Sequence, residues 1–505
     1  MFRKLSLALL MLPLVLALPV RAETIDQRIE ALMQPATDAL SSFIFYSVKV
    51  GGADIKLIVV WLIVAALFFT VYFGLINVRG FGHSVALVSG KYSDPEHKGE
   101  ISHFQALTAA VSGTVGIGNI AGVAVAVSIG GPGVIFWLML AGFLGMATKF
   151  VECTLGVKYR QVDENGNVHG GPMYYLSNGL KARGLSGLGK ALGVFYAVAI
   201  VVGCLGIGNM FQSNQAYQQI MQVTGGENSP VAGRGWTVGL VMAVLVAVII
   251  IGGIRSIARI TVRLVPFMVL IYVVGALAVI AMNYAAVPAA IEAIISGAFS
   301  QQAMAGGMLG VMILGFQRAA FSNEAGLGSA SIAHSAVKTK SPITEGYVAL
   351  LEPFIDSVVI CALTGLVIVT TLPPDVFGRD GIEGIELTSS AFESRIAWSP
   401  VPLSIIAVLF AFSTMLAWAY YGTRGWTYLF GKNKAMEIGF NLIFCAFIVI
   451  GASINLKAVL DFSDALIFVV AIPNLLGLYF LAPEVKRDLK AYNERLKTGS
   501  PHDPS

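Results

Sequence analysis

Charge is almost absent from long stretches of this chain, and that constrains its fold more than anything else in the sequence. Eleven apolar segments reach the length a membrane helix needs, near 55–77, 103–128, 133–157, 191–212, 236–253, 260–284, 304–333, 344–371, 402–430, 436–455 and 461–482. In a bilayer every backbone N–H and C=O needs a partner inside the protein, so such segments are predicted helical and the chain all-α. Only 12% of the 505 residues are charged, against roughly 25% in a soluble domain. The longest connections run over about 158–190 and 371–400, too short for a soluble domain. The net charge of +4 is too small to suggest nucleic acid as a partner. The four cysteines fall in apolar segments and the six histidines show no paired ligand spacing, which speaks against a metal centre.

The N-terminus reads differently. Residues 1–22 combine a basic start, a short apolar run and small residues before a cleavage point after Ala22, which describes a signal peptide. An uncleaved extra helix is the alternative. Residues 23–54 are then a periplasmic segment and 55–77 the first span, with its far end inside the cell. Loops expected inside carry Arg79, Lys91, Lys158, Arg160, Lys181, Arg183, Arg255, Arg259, Lys338, Lys340, Lys432 and Lys434, and the tail 483–505 adds five more Lys or Arg. Loops expected outside carry few, and are acidic instead at Asp375, Asp380, Glu383 and Glu386. This bias predicts eleven spans in a bacterial-type inner membrane, with the mature N-terminus outside and the C-terminus cytoplasmic.

One span looks weak in its middle. Residues 112–124 read SGTVGIGNIAGVA, with four glycines and an Asn. Glycine in a helix interior costs about 1 kcal/mol against alanine. Part of this pattern returns at 322–330, SNEAGLGSA, with Asn119, Ala121, Gly122 and Ala126 matched by Asn323, Ala325, Gly326 and Ala330. The copies lie on the second and seventh spans. Five spans separate their starts, so they enter the membrane from opposite sides. That predicts a five-plus-five inverted repeat over 103–284 and 304–482, with the first helix peripheral. In such transporters one helix of each repeat is broken near the midplane, and its freed backbone groups bind substrate and ion. Residues 112–119 are therefore expected to be an unwound hinge, and 315–328 (GFQRAAFSNEAGLG) its counterpart. Close helix packing through small residues is the plainer alternative.

The stretches SHFQALTAAVSGTVGIGNIAGVA, GGPGVIFWLMLAGFLGMATKFVE, NGNVHGGPMYYL, GNMFQSNQ and FSNEAGLGSA together resemble the alanine/glycine:cation symporter family over nearly the whole length after the signal region. The resemblance implies a LeuT-like fold and sodium-driven uptake of small neutral amino acids, chiefly alanine and glycine. Sodium is then the co-transported ion. One departure stands out: where the family often has Gln, this chain has Thr114, a shorter side chain, and the pocket's size and substrate preference are left open. The hinge is also similar to the AVGLGN stretch of neurotransmitter:sodium symporters, which share the superfold.

A zwitterionic substrate suits two broken helices. Backbone N–H groups of Gly116, Ile117 and Gly118, where the outer half of the second span begins, are expected to hold its carboxylate. Carbonyls near Ala320 and Phe321 are expected to accept from its ammonium. Phe321 and Trp418 are expected to close around a methyl-sized side chain; core or lipid-facing aromatics are the plainer reading. The resemblance implies a sodium cage from the hydroxyls of Ser413 and Thr414 with the carbonyls of Ser112, Val115 and Phe410. Ser and Thr also commonly bond a carbonyl in the preceding turn, which is the structural alternative. Thr114 and Asn119 serve a second ion or the substrate, and Gln212, near the expected outer end of the fourth span, reaches the substrate or an outer gate.

Intramembrane charges are functional candidates. Arg318 and Glu324 flank the second hinge. Glu352 and Asp356 are four apart, hence on one helix face. These four are expected to pair structurally or to gate, with Glu324 able to bind an ion or titrate. Lys149 and Glu152 are expected near the inner end of the third span, where Lys can snorkel. The segment GGPMYYL is expected as a short helix on the inner surface, and the loop around Arg255 as a contact for lipid headgroups. A proton-coupled symporter or exchanger of the same fold is the first alternative, an ion channel a more distant one. An enzyme ranks last, since no HExxH, Gly-x-Ser-x-Gly or nucleotide loop is present.

Overall fold

Glycines and buried polar residues, more than prolines, decide where the long apolar segments of this chain bend. The computed structural model describes residues 35, 38, 39 and 41–497, apart from 51–52, 92–98, 165, 301–305 and 378–383. The signal segment expected at 1–22 lies outside the described residues. The first described elements are an antiparallel hairpin, β1 (Ser47–Val50) and β2 (Ala53–Lys56), with Ser47 opposite Lys56. It leads directly into α1 (Leu57–Tyr72).

The body is helical. α2 (His103–Thr114) and α3 (Ala121–Gly130) form one apolar span bent by 59°. Then follow α4 (Val134–Lys158), α5 (Ser186–Val223), α6 (Gly235–Ile250), α7 (Gly253–Met282) and α8 (Val287–Phe299). A second interrupted segment follows, α9 (Gly307–Asn323) and α10 (Ala330–His334). The chain ends with α11 (Pro342–Thr371), α12 (Pro400–Phe430), α13 (Lys434–Ser453) and α14 (Leu456–Lys497). Seven described helices are long and apolar enough to cross a membrane, eight with the bent pair, and α1, α6 and the stretch Tyr284–Phe299 are shorter apolar helices. α7 runs through Pro266, and α14 through Pro473 and Pro483, without interruption.

The two interrupted helices sit innermost. α2 packs on α7 and α12, α9 packs on α4 and α3, α4 also packs on the first turns of α11, and α5 lies between α12 and α14. α6 and α13 pair on the periphery, where Val244, Val248 and Leu442 stay exposed, as suits lipid-facing side chains.

Three local expectations are corrected. The fourth apolar segment does not end near 212: α5 continues to Val223. Its polar stretch Gln212–Gln215 turns into the protein and is buried, so hydropathy alone cut the span short. Gln212 therefore lies within the helix rather than near its end. The GGPMYYL segment is helical at Pro172–Tyr174 and Tyr175–Gly179, but Pro172 to Leu176 are buried instead of lying on a surface. Gly170 and Gly171 let it press on Ser335 and Ile332, and Tyr175 hydrogen-bonds Asn474 of α14. α8 is an apolar helix in a stretch expected to be loop; it docks where Gly133 meets the backbone of Gly297 and Ala298.

The closest helix approach with a direct bearing on the centre is at Gly208. A π-helical turn, Gly206–Met210, carries it within α5, and a Cβ there would overlap Cβ and Cγ of Trp418. Gly208→Ala is expected to lower the thermal-unfolding midpoint in detergent by an overpacking cost of about 1–3 kcal/mol. Gly187→Ala in the same helix, where a Cβ meets nothing within 4 Å, serves as the control and is expected to leave the midpoint unchanged or raise it.

Candidate functional site

The bend between α2 and α3 releases backbone groups that a continuous helix would bond internally. α2 ends at Thr114, Val115 turns extended with ψ 91°, and a single 3-10 turn, Ile117–Asn119, precedes α3. Gly116 N–H donates to Asn119 Oδ1 at 2.9 Å, and Ile117 N–H to Gln212 Oε1 at 3.1 Å. In an unbroken helix those two amides would bond the carbonyls of Ser112 and Gly113. Gly113 O instead accepts from Trp418 Nε1 at 3.3 Å. Asn119 N–H bonds Gly116 O at 3.1 Å rather than Val115 O. The carbonyls of Ser112 and Val115 are thus freed from the helical ladder at one point.

Thr414 faces that point. A Cβ on Gly116 would strike Thr414 Oγ1 and lie 3.1 Å from Gln212 Oε1, so glycine is what lets the α12 hydroxyl approach the break. Thr414 is buried and its Oγ1 has no hydrogen-bond partner among the described residues. Ser413 differs: its hydroxyl donates to Phe410 O at 3.0 Å and touches Met268 Sδ at 3.7 Å. That is the local back-bond the sequence allowed; it uses the Ser413 hydrogen and one lone pair of the Phe410 carbonyl. Ser112 Oγ and Thr114 Oγ1 likewise bond back, to Ala109 O and Val111 O. A hard cation wants several free oxygens; those of Thr414, Ser112 and Val115 fit that need.

The second break is narrower than expected. α9 stays helical from Gly315 to Asn323, because Gly315 is a packing glycine against Trp137 and Val134. Only 324–329 leave the helix. Glu324 takes the left-handed conformation, φ 59°, which costs a non-glycine residue about 1–2 kcal/mol. Its N–H bonds Ala320 O at 3.1 Å, so that carbonyl is occupied. Ala325 N–H bonds Asn323 Oδ1 at 2.9 Å instead of Phe321 O. The amides of Gly326 and Gly328 both donate to Glu152 Oε1, at 3.0 and 3.1 Å. Asn474 Nδ2 donates to the same oxygen and to Gly326 O, each at 2.8 Å, and Tyr196 OH donates to Leu327 O at 2.9 Å.

The breaks are joined through α11. Asp356 Oδ1 accepts from Asn119 Nδ2 at 2.5 Å and from Ser322 Oγ at 2.9 Å, while Asn323 Nδ2 donates to Ser357 Oγ at 2.9 Å. The two asparagines of the sequence repeat therefore meet neighbouring residues of one π-helical stretch, Phe354–Cys361. Glu324 joins them from the other side: it accepts from Trp418 Nε1 at 3.0 Å and from Ser329 Oγ. Phe321 lies 3.8 Å from where a Gly118 Cβ would sit, edge-on to Phe211 at 5.2 Å. Gly118 is thus the residue of the carboxylate trio that faces Phe321, whereas Gly116 and Ile117 amides already carry side-chain partners. All the site residues expected from the sequence are buried.

The charges pair in ways spacing alone did not reveal. Lys149 does not snorkel; it is fully buried, 2.9 Å from Glu352. Glu352 also meets His334 Nε2 at 2.6 Å, His334 Nδ1 meets Glu345 at 2.5 Å, and Glu345 meets His103 at 2.5 Å. Both ring nitrogens of His334 face carboxylates, which suits an imidazolium. Glu352 and Asp356 take separate partners, Asp356 on the π-helical stretch that begins at Phe354. Arg318 pairs with Asp464 of α14, as does Gln317, which Lys56 reaches in turn at 2.7 Å. Asn474, Tyr196, Asp464, His334 and Glu345 were not singled out from sequence, and Glu152 was noted only as an intramembrane charge near Lys149. For Asn474 and Tyr196 the available signal was an isolated polar residue inside an apolar segment.

Glu152→Ala leaves two backbone amides and the Asn474 amide without their shared acceptor, at about 1–3 kcal/mol for each group left unpaired. The unfolding midpoint in detergent is expected to fall clearly, and to fall much less for Glu152→Gln, which keeps an acceptor oxygen.

Comparison with known proteins agrees with this architecture. A crystal structure of MhsT in complex with L-phenylalanine superposes with a TM-score of 0.52 at 15% identity, covering 77% of this chain and 98% of that one, so the two share a fold. A sodium/alanine symporter of Methanococcus maripaludis is 39% identical over 439 residues, 86% of this chain and 94% of the relative. A putative sodium/proton-dependent alanine carrier of Bacillus subtilis is 32% identical over 429 residues, 82% and 85% of the two chains. The sodium:alanine symporter family model matches residues 41–504. The chain belongs to the sodium:alanine symporter family, a family of transporters and not of enzymes.

Proposed function

We propose that this protein couples inward sodium movement to uptake of a small neutral amino acid, alanine or glycine, by alternating access. The observation that carries the reading is the first break: freed carbonyls of Ser112 and Val115 beside the unpartnered, buried Thr414 hydroxyl. Sodium lies there, between the broken helix and α12, with Ser413 and Phe410 shaping the wall. Its binding draws α2 toward α12 and biases the two access states, provided its affinity differs between them. The amino acid lies alongside, at Gly118, Phe321 and the Phe321 carbonyl released by Ala325, with Trp418 behind Gly113. Its carboxylate takes Gly116 and Ile117 amides only as Asn119 and Gln212 give way. Arg318 with Asp464 forms the outer gate. The fold is read as eleven crossings in two inverted five-helix repeats with α1 peripheral, in a bacterial-type inner membrane with the C-terminus cytoplasmic.

A second reading rests on Glu324, a buried carboxyl at the second break held by Trp418 and Ser329. It favours proton coupling, and the Bacillus subtilis relative is named as sodium/proton-dependent.

The test is labelled alanine and glycine uptake into proteoliposomes under an inward sodium gradient, an inward proton gradient without sodium, or no gradient. Sodium-driven accumulation is expected; accumulation on the proton gradient alone moves coupling to Glu324, and uptake of neither amino acid overturns the substrate reading. In the same assay Thr414→Val is expected to raise the half-saturating sodium concentration roughly tenfold or more, and Ser413→Ala by less than about threefold. Equal effects of the two variants would remove Thr414 from the ion's coordination.

A further inference from the structure

At the end of the helix array that carries the basic loops, a cavity of about 280 Å³ lies between α12, the first turns of α7 and α13, and the hairpin of β3 (Gln161–Val162) and β4 (Val168–His169). Its deepest cation is Arg424, only 9% exposed. The Arg424 guanidinium lies 4.8 Å over the Tyr420 ring, and one terminal nitrogen is 3.3 Å from His169 Nδ1. Its Nε has no hydrogen-bond partner, and it forms no ion pair with a carboxylate among the described residues. A buried charge without a counter-ion is costly.

No neighbouring carboxylate among the described residues pairs with Arg424 directly; Glu100 and Glu437 act on it only from across the cavity. Burial and the Arg424 charge push His169 down to about 4. The imidazole is therefore neutral near pH 7, taking a bond from Arg424 at Nδ1 and facing Asp163 with Nε2 at 3.2 Å. Asp163 is further engaged by Asn167, and Glu100 by Arg255 at 3.1 Å and by Val168 N–H at 2.8 Å. That leaves Arg424, Lys432 and Lys434 on the cavity wall against Glu437. Burial lowers the Lys432 ammonium, with Asp163 acting against that shift and Arg424 with it. The N-terminus of α7, a 30-residue helix whose cap supplies no side-chain bond, opens into the same space at Gly253, Ile254 and Arg255. Helix N-termini favour anions. At the rim, Ile251 and Ile438 are 59% and 45% exposed, continuous with the apolar outer faces of α6 and α13.

We propose that this cavity binds the phosphate of an anionic phospholipid, with Arg424 as buried anchor, Lys432 and Lys434 at the mouth, and the acyl chains along α6 and α13. A guanidinium presents paired N–H donors that match two oxygens of a phosphate. The mixed rim, charged on one side and apolar on the other, matches a lipid at the membrane interface and has no use for a soluble ion.

The experiment reads ligand-induced thermal stabilisation of the full-length, delipidated protein in detergent, and needs no transport, so it stands apart from the symport reading. The probes are dioctanoyl phosphatidylglycerol, dioctanoyl phosphatidylcholine, glycerol 3-phosphate and inorganic phosphate. Saturable stabilisation by phosphatidylglycerol is expected, with little from phosphatidylcholine. Arg424→Gln is expected to weaken it roughly tenfold, and Lys432→Gln with Lys434→Gln severalfold. The lysines are exposed, so that double variant folds and decides the matter even if Arg424→Gln does not. Unchanged half-saturation in these variants, or no saturable response, overturns the site. Saturation by glycerol 3-phosphate or phosphate as tight as by the lipid overturns the lipid and assigns a soluble phosphate.

Discussion

Everything central in this protein depends on one constraint: a helix broken inside a membrane must find new partners for the backbone groups it releases. At the first break Asn119 and Gln212 take the amides of Gly116 and Ile117, and Trp418 takes the carbonyl of Gly113. At the second, Glu152 takes two amides at once and Asn474 holds both Glu152 and the Gly326 carbonyl. Apart from Asn119 in the break itself, these capping residues come from α4, α5, α12 and α14, so the breaks are stable only in the assembled bundle. What they leave over, the carbonyls of Ser112, Val115 and Phe321, is what an ion and an ammonium can use.

The same requirement explains the buried charge. Glu152 earns its place as an acceptor for backbone, and Lys149 sits one turn away from it on α4, paired to Glu352. From Glu352 a line of short contacts passes through His334 and Glu345 to His103. It ties the start of α2 and the end of α10 to α4 and α11. Asp356 links the two breaks directly through Asn119 and Ser322. These four helices are thereby cross-linked into one unit, and Thr414, Trp418 and Gln212 on α12 and α5 meet that unit at the breaks. Such a division suits a bundle that moves as a body against the remaining helices.

Much of this was legible from residue type and order. Low charge and spanning-length apolar runs determined a helical membrane protein, clustered glycines marked the first break, which starts three residues later than expected because residues 112–114 stay helical, and the Asn-x-Ala-Gly pair located the second. These features act locally: each depends on a residue's own conformational cost or its own transfer into lipid. The same local reading went astray where a partner far along the chain decides. Gly315 looked like part of a hinge and is a packing glycine against Trp137; the polar run at 212–215 looked like a helix end and is buried mid-helix. Lys149 looked able to reach water and is paired in the interior.

By itself, then, the sequence determined the class of fold, the weak points of two helices and the residue types gathered there, because composition and backbone propensity need no neighbour to act. Only the tertiary structure decided which oxygens are free. Ser413 and Thr414 are adjacent and chemically alike, yet the Ser413 hydroxyl hydrogen is bonded back to Phe410 O while Thr414 Oγ1 stands at Gly116 with no hydrogen-bond partner among the described residues. Likewise Arg318 and Arg424 are both buried arginines, one answered by Asp464 and the other by no carboxylate among the described residues. Hydrogen bonds and ion pairs are decided over a few ångströms, between residues separated by up to hundreds of positions, and that distance exists only once the helices have packed.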